Sequence, residues 1–173
     1  VFTDMHSEVA RAKELDHFAS EHDVKLTFTL RARSVAWSTG YVQQHAVRQG
    51  LVAGAIPGRM VMPAATSGLP PIWVLHFDTQ AAMAEDVEQS VLRRLDLSVD
   101  VPWVDRIERP YARLLEVAIA LAASMDGLIC DAQGQTISRE AMDAIGADLE
   151  LLYDALEARD LAAGSPQARR LFS

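Results

Sequence analysis

Between residues 24 and 31 the chain reads "VKLTFTLR", and apolar and polar positions alternate without a break. Val24, Leu26, Phe28 and Leu30 interleave with Lys25, Thr27, Thr29 and Arg31. A period of two predicts a strand with one buried face and one wet face. "LDLSVDV" (95–101) repeats the pattern, setting Leu95, Leu97, Val99 and Val101 against Asp96, Ser98 and Asp100. Two other segments are apolar at both phases. One is "RMVM" (59–62), bounded by Pro57-Gly58 and Pro63. The other is "IWVLHFD" (72–78), where Trp73, Leu75 and Phe77 oppose Ile72, Val74 and His76. "GLIC" (127–130) is a short strand, "DAQG" a turn after it, and "QTI" is placed to pair back.

Helical spacing marks the intervening segments. "STGYVQQHAVRQG" (38–50) has Ser38 or Thr39 as N-cap, Val42 and Ala46 on its buried side and Gly50 as terminator. Pro110 opens a helix ending near Met125, a place where its missing N–H costs little, with a stripe of Leu114, Ala118, Leu121, Ala122 and Met125. Ser138 caps a last long helix whose side is formed by Met142, Ile145, Leu149, Leu152 and Leu156. Met5, Val9 and Ala12 predict a further helix over 3–21. Residues 81–90 read as a short helix or a loop, and 161–173 as a tail punctuated by Gly-Ser-Pro.

With no repeat and no linker, these elements predict one α+β domain over 1–173. A core of 24–160 follows an extra N-terminal helix within 1–22, and the tail 161–173 closes the chain. Strands 24–31 and 95–101 are half polar, so the sheet carries helices on one face and leaves the other open. Because 59–62 and 72–78 are apolar at both phases, that open face holds an apolar island. Its candidates are Met60 or Met62, Ile72 and Val74, rimmed by Lys25, Thr27, His76, Asp96 and Ser98. Such a patch suits peptide docking, unless loops or the N-terminal helix cover it.

Composition narrows the classes. The net charge is −8, and 138–160 alone hold seven Asp or Glu against two Arg. No basic stripe of the kind nucleic acid requires is present. No apolar run reaches the ~18 residues of a membrane helix. The single cysteine excludes an internal disulfide, and the absent initiator Met leads to the expectation of a longer parent chain.

Catalytic and metal motifs are not evident. Cys130 ends the apolar run "LIC", beside Asp131, and reads as a core residue. Asp126 and Asp131 lack the alternating oxygen ligands of a calcium loop and read as turn residues. His17 and His22 are five apart, whereas a zinc-binding helical pair is four apart. His45 has no ligand neighbour. His76 lies on the predicted open face, without a nucleophile beside it in sequence. No G-x-S-x-G, Walker or G-x-G-x-x-G motif occurs. The reading is a non-enzymatic domain without metal or cofactor.

Several strings, in this order, resemble a known family. They are "GYVQQHAVRQGLVAG" before a short strand, "PPIWVLHFD", "SVDVP", and "RPYARLLEVAIALAASMDGLICDAQGQTIS" before a long final helix. Over residues 24–160 the chain resembles the C-terminal FtsZ-binding domain of the bacterial cell-division protein ZipA, and "AGSPQARRLFS" resembles the ending of a divergent branch. The resemblance implies a split β-α-β fold whose open face holds a shallow apolar cleft for the C-terminal tail of FtsZ. It also implies an adaptor at the cytoplasmic side of the inner membrane at the division site, with a membrane anchor and linker upstream. Carried over by position, the cleft comprises Lys25, Thr27, Met60, Val74, His76, Asp78, Asp96 and Ser98. The fourth strand departs from the family, offering Asp96, and Ser98 where an aromatic is expected nearby. That leaves a second expectation, the same fold with another division or envelope protein as partner.

Overall fold

A computed structural model describes residues 24–78, 91–131 and 133–172. The helix expected over 3–21 and the segment 81–90 lie outside the described residues. Six strands form one sheet: β1 (Lys25–Ala32), β3 (Val52–Ala53), β4 (Arg59–Met62), β5 (Trp73–His76), β7 (Arg94–Asp100) and β8 (Gly127–Cys130). Their spatial order is β3-β4-β5-β7-β1-β8, and every neighbouring pair is antiparallel. Two short strands, β2 (Trp37–Ser38) and β6 (Val91–Leu92), pair apart from it.

Four helices are described: α1 (Thr39–Arg48), α2 (Pro110–Met125), α3 (Arg139–Ala158) and α4 (Pro166–Leu171). β7 and β8 flank β1 from either side, both antiparallel to it, and α2 connects them. This is the expected α+β fold with a split β-α-β unit.

The helix boundaries follow from capping chemistry. The Ser38 hydroxyl accepts from Tyr41 N at 3.1 Å, and Ser138 accepts from Ala141 N at 3.1 Å, each satisfying one of the free N–H groups of a first helical turn. Pro110 occupies the first turn of α2, as its fixed φ favours.

Cross-strand register defines the two faces, because directly opposed residues point the same way. Leu30 opposes Leu95 and Ile129, while Phe28 opposes Leu97, which in turn opposes Leu75. All of these are buried. α2 lies over them with Leu114, Val117, Ala118, Leu121 and Met125 buried, and Tyr111 meets the Phe28 ring edge-on. α3 joins this layer through Met142, Leu149, Tyr153 and Leu156; Ile145 and Leu152 of its expected stripe are half-buried. Tyr153, outside that stripe, is buried deeply enough that its hydroxyl is pushed up to about 12 by desolvation.

The expected tail is part of the folded body. Leu161, Ala163, Ala168 and Phe172 are buried, and Ser165 caps α4 through Ala168 N. Trp103 Nε1 donates to Phe172 O at 3.0 Å, and Gly164 N to Pro102 O at 2.8 Å. The approach is close enough that a Cβ at Gly164 would lie 2.5 Å from Asp105 N, so only glycine fits there. The seam involves two short 3-10 turns, Val101–Trp103 and Arg106–Glu108.

Arg106 ties the second turn to the acidic helix α3. Its guanidinium meets Asp154 at 3.0 Å and Glu157 at 3.1 Å, pairs with Glu150, and stands 5.1 Å from the Tyr153 ring centroid. Hydrogen bonds to Asp154, Glu157 and Glu150 hold its proton more tightly than usual. Part of the acidity concentrated in 138–160 is thereby matched to one cation.

Glu108 is the other polar anchor. It is buried, and its carboxylate accepts Ala65 N at 2.9 Å and Thr66 N at 3.2 Å, with Arg113 at 3.5 Å. The hydrogen bond from Ala65 leads the causes that hold its pKa below the ordinary glutamate value. It pins the turn between β4 and β5, and so the start of β5.

Candidate functional site

The second face of the sheet is organised in rows that cross the strands. One row runs Cys130–Thr29–Asp96–His76–Arg59. The next runs Thr27–Ser98–Val74–Val61–Val52. Beyond them Lys25 opposes Asp100 at one end, and Arg31 opposes Arg94 at the other. The face is therefore polar over β1 and β7 and along the Arg59–His76 row, and apolar only where the three valines align across β3 to β5.

Six of the eight expected positions meet here. Lys25, Thr27, Val74, His76, Asp96 and Ser98 occupy adjoining positions in these rows. Asp78 lies just past the end of β5 and is exposed. Met60 does not belong to the group. It opposes Leu75 on the core face and is 4% exposed, so its expected place in the cleft is corrected. Met62, opposing Trp73, is likewise core, and Ile72 is buried.

The error has a physical cause. A strand apolar at both phases carries no alternation signal, so its phase is set by its partner's hydrogen-bond register. The residue that presents β4 to the second face is Val61, opposite Val74. The one clue was Arg59. Its charge shares Val61's phase, and a charged residue on a strand marks the wet side. Val52 and Thr29 also belong to the face and were not among the candidates.

Burial across the face is graded. Lys25, Arg31, Arg59, Arg94 and Asp100 are exposed. Thr27, Val61, Val74, His76 and Asp96 are half-buried, and Thr29, Ser98 and Cys130 are buried. Cys130 is thus closed off as expected of a core residue, but on the second face, since it opposes Thr29. Its Sγ donates only a long contact to Leu128 O at 3.8 Å.

A polar network centres on Asp96, whose side chain is 16% exposed. Thr29 Oγ1 donates to Asp96 Oδ1 at 2.7 Å. Asp96 Oδ2 lies 3.5 Å from His76 Nε2 and 3.4 Å from Arg94 Nη2. In the next row Thr27 Oγ1 and Ser98 Oγ are 3.2 Å apart. His76 titrates below the ordinary histidine value: burial opposes its charge most, Asp96 favours it, and Arg59, Lys25 and Arg94 oppose it. At neutral pH it is a neutral imidazole, and Arg94 is the cation beside Asp96.

Two depressions open at His76. One of about 210 Å³ is lined by Lys25, Arg59, Ile72, Val74, Ser98 and Val104 among others. The second, about 430 Å³, lies between His76–Asp78 and the β6–β7 segment. Both are partly open and lined largely by sheet residues, which suits a segment laid across the surface. Among the described residues, no three His, Cys, Asp or Glu side chains cluster as a metal cage, and no helix is long and apolar enough to cross a membrane. No model of a known protein family matches the chain, and no curated protein matches it.

Proposed function

We propose that the second face docks an extended peptide, and that this peptide is the C-terminal tail of FtsZ. The observation that carries the reading is the valine row Val52–Val61–Val74, bordered by Arg59, His76 and Lys25 on a partly open sheet surface. Apolar side chains of the peptide would seat on Val61 and Val74, and its carboxylates would meet Lys25 and Arg59. The chain would then act as a ZipA-like, non-enzymatic adaptor, helping to tether the division ring to the inner membrane through a segment upstream. We expect weak docking, with a dissociation constant on the order of micromolar, as is common for small transient sites.

Titration of the protein with a fluorescently labelled FtsZ tail peptide tests this. The double variant Val61→Asp, Val74→Asp is expected to lose at least about tenfold in affinity, since a charge forced into each apolar contact must be desolvated. Unchanged affinity in that variant removes the site. Absence of binding by the unaltered protein removes FtsZ as the partner.

Asp96 favours a second reading, in which another division or envelope protein occupies the same face. A carboxylate set beside the valine row suits a partner other than a purely apolar tail. Affinity capture from cells with and without FtsZ separates the two readings.

A further inference from the structure

Resting on the docking reading, we infer that the segment bound on this face carries a lysine or arginine two residues from its apolar anchor, paired with Asp96. Asp96 is already 84% withdrawn from water, and its described contacts are one hydroxyl, one neutral imidazole and one arginine. That arginine, Arg94, is exposed with 69% of its side chain in solvent, and its 3.4 Å contact lies at the outer edge of hydrogen-bonding distance. Exposed pairs of this kind are weak. A segment seated on Val74 and running diagonally toward β7 would remove the water remaining on Asp96. An apolar or acidic group over it would leave a buried charge with little compensation.

The register sets the spacing. Val74 opposes Ser98, and Asp96 lies two residues from Ser98 along the same strand. Val74 and Asp96 are therefore diagonal neighbours, about 7–8 Å apart. Residues i and i+2 of an extended segment are about 7 Å apart on one face. An apolar residue seated at Val74 thus brings the side chain two positions away over Asp96. Arg94 stands in the row on Asp96's far side from the valines, so among the described residues the valine side is the open approach. Arg59 lies across His76 from Asp96 and Lys25 beyond the valine row, so acidic groups of the segment face those cations instead. The partner chemistry is an extended apolar-x-basic segment.

The test uses synthetic eight-residue peptides with a fixed leucine and Lys, Arg, Gln or Glu two positions later, titrated against the protein. Lys and Arg peptides are expected to bind at least about tenfold tighter than the Gln peptide, and the Glu peptide weakest, as a partly desolvated pair implies. Asp96→Asn should reduce the Lys-to-Gln ratio to about one. Equal binding of Lys, Gln and Glu peptides by the unaltered protein overturns this inference while leaving the docking face intact. So does a preference for Lys that persists in Asp96→Asn. If Val61→Asp, Val74→Asp leaves every peptide's affinity unchanged, the docking reading fails as well. The comparison of peptides on the unaltered protein needs no variant, so it decides the matter even if a substitution disturbs folding.

Discussion

Leu97 and Ser98 are neighbours in β7 and belong to different environments. Leu97 is fully buried between Phe28 and Leu75 under α2. Ser98 faces the other way, between Thr27 and Val74. The same contrast separates two carboxylates. Glu108 is closed in: its oxygens take two backbone N–H groups, Arg113 stands beside it, and its side chain is 4% exposed. Asp96 is partly open, with Thr29 on one oxygen and an exposed Arg94 near the other. A polar group with its partners in place inside the fold serves stability. One whose compensation is incomplete at a surface groove is available to select a partner.

Substitutions can sharpen or break that comparison. Leu97→Ala should have the largest effect, about 2–5 kcal/mol in urea-induced unfolding, because it leaves a cavity between packed strands and a helix. Ser98→Ala on the other face should cost less than about 1 kcal/mol. Equal losses would mean that both faces are structural core.

Next in size, Glu108→Ala should cost about 1–3 kcal/mol, since Ala65 N and Thr66 N lose their acceptor. Its pH dependence has a definite sign. The folded-state pKa of Glu108 is depressed, so its contribution is present above the ordinary glutamate value and is lost as pH falls through the depressed one. Unfolding curves measured through the acid range should therefore converge for the unaltered protein and Glu108→Gln at low pH. Asp96→Asn, by contrast, should change stability by less than about 1 kcal/mol, because the amide oxygen still accepts the Thr29 hydroxyl. A loss as large as that of Glu108→Ala would place Asp96 among the structural groups.

The smallest effect concerns His76. Its folded pKa is lowered, so its neutral form stabilises the fold above the ordinary histidine value of about 6.5, and this contribution declines as pH falls from there through the lowered value. NMR titration should place the His76 midpoint below that of a surface histidine. In Asp96→Asn the midpoint should fall further, because Asp96 is the one described charge that favours the imidazolium. A midpoint unmoved by Asp96→Asn would show that the two side chains do not couple.

Much of this architecture is legible in the residues. The alternation of 24–31 and 95–101 assigned Lys25 to Arg31 of β1 and Leu95 to Asp100 of β7 to their observed faces, and the phase of 72–78 placed Val74 and His76 opposite Trp73 and Leu75. Ser38, Pro110 and Ser138 marked three helix starts. The tail was less legible. "SPQARRL" is too short to show a helical stripe, and its burial depends on Trp103 and Pro102, some 60 residues earlier. The pairing of Glu108 with Ala65 and Thr66 is equally non-local.

The sequence by itself determined the longer strands and helices, β1, β4, β5, β7, β8 and α1 to α3, and the orientation of the strands whose polar and apolar positions alternate. The short strands β2, β3 and β6 and the terminal helix α4 escaped it. Water enforces that pattern locally, since a polar side chain in the core carries a desolvation cost wherever it occurs. The tertiary structure decided what has no local signature: the phase of β4, which puts Val61 rather than Met60 beside Val74, and the side of the sheet on which Cys130 is closed off. It also decided that Asp96 sits one diagonal step from the valine row. Those outcomes are set by hydrogen-bond register between strands distant in the chain, which hydrophobic pattern cannot encode when both phases are apolar.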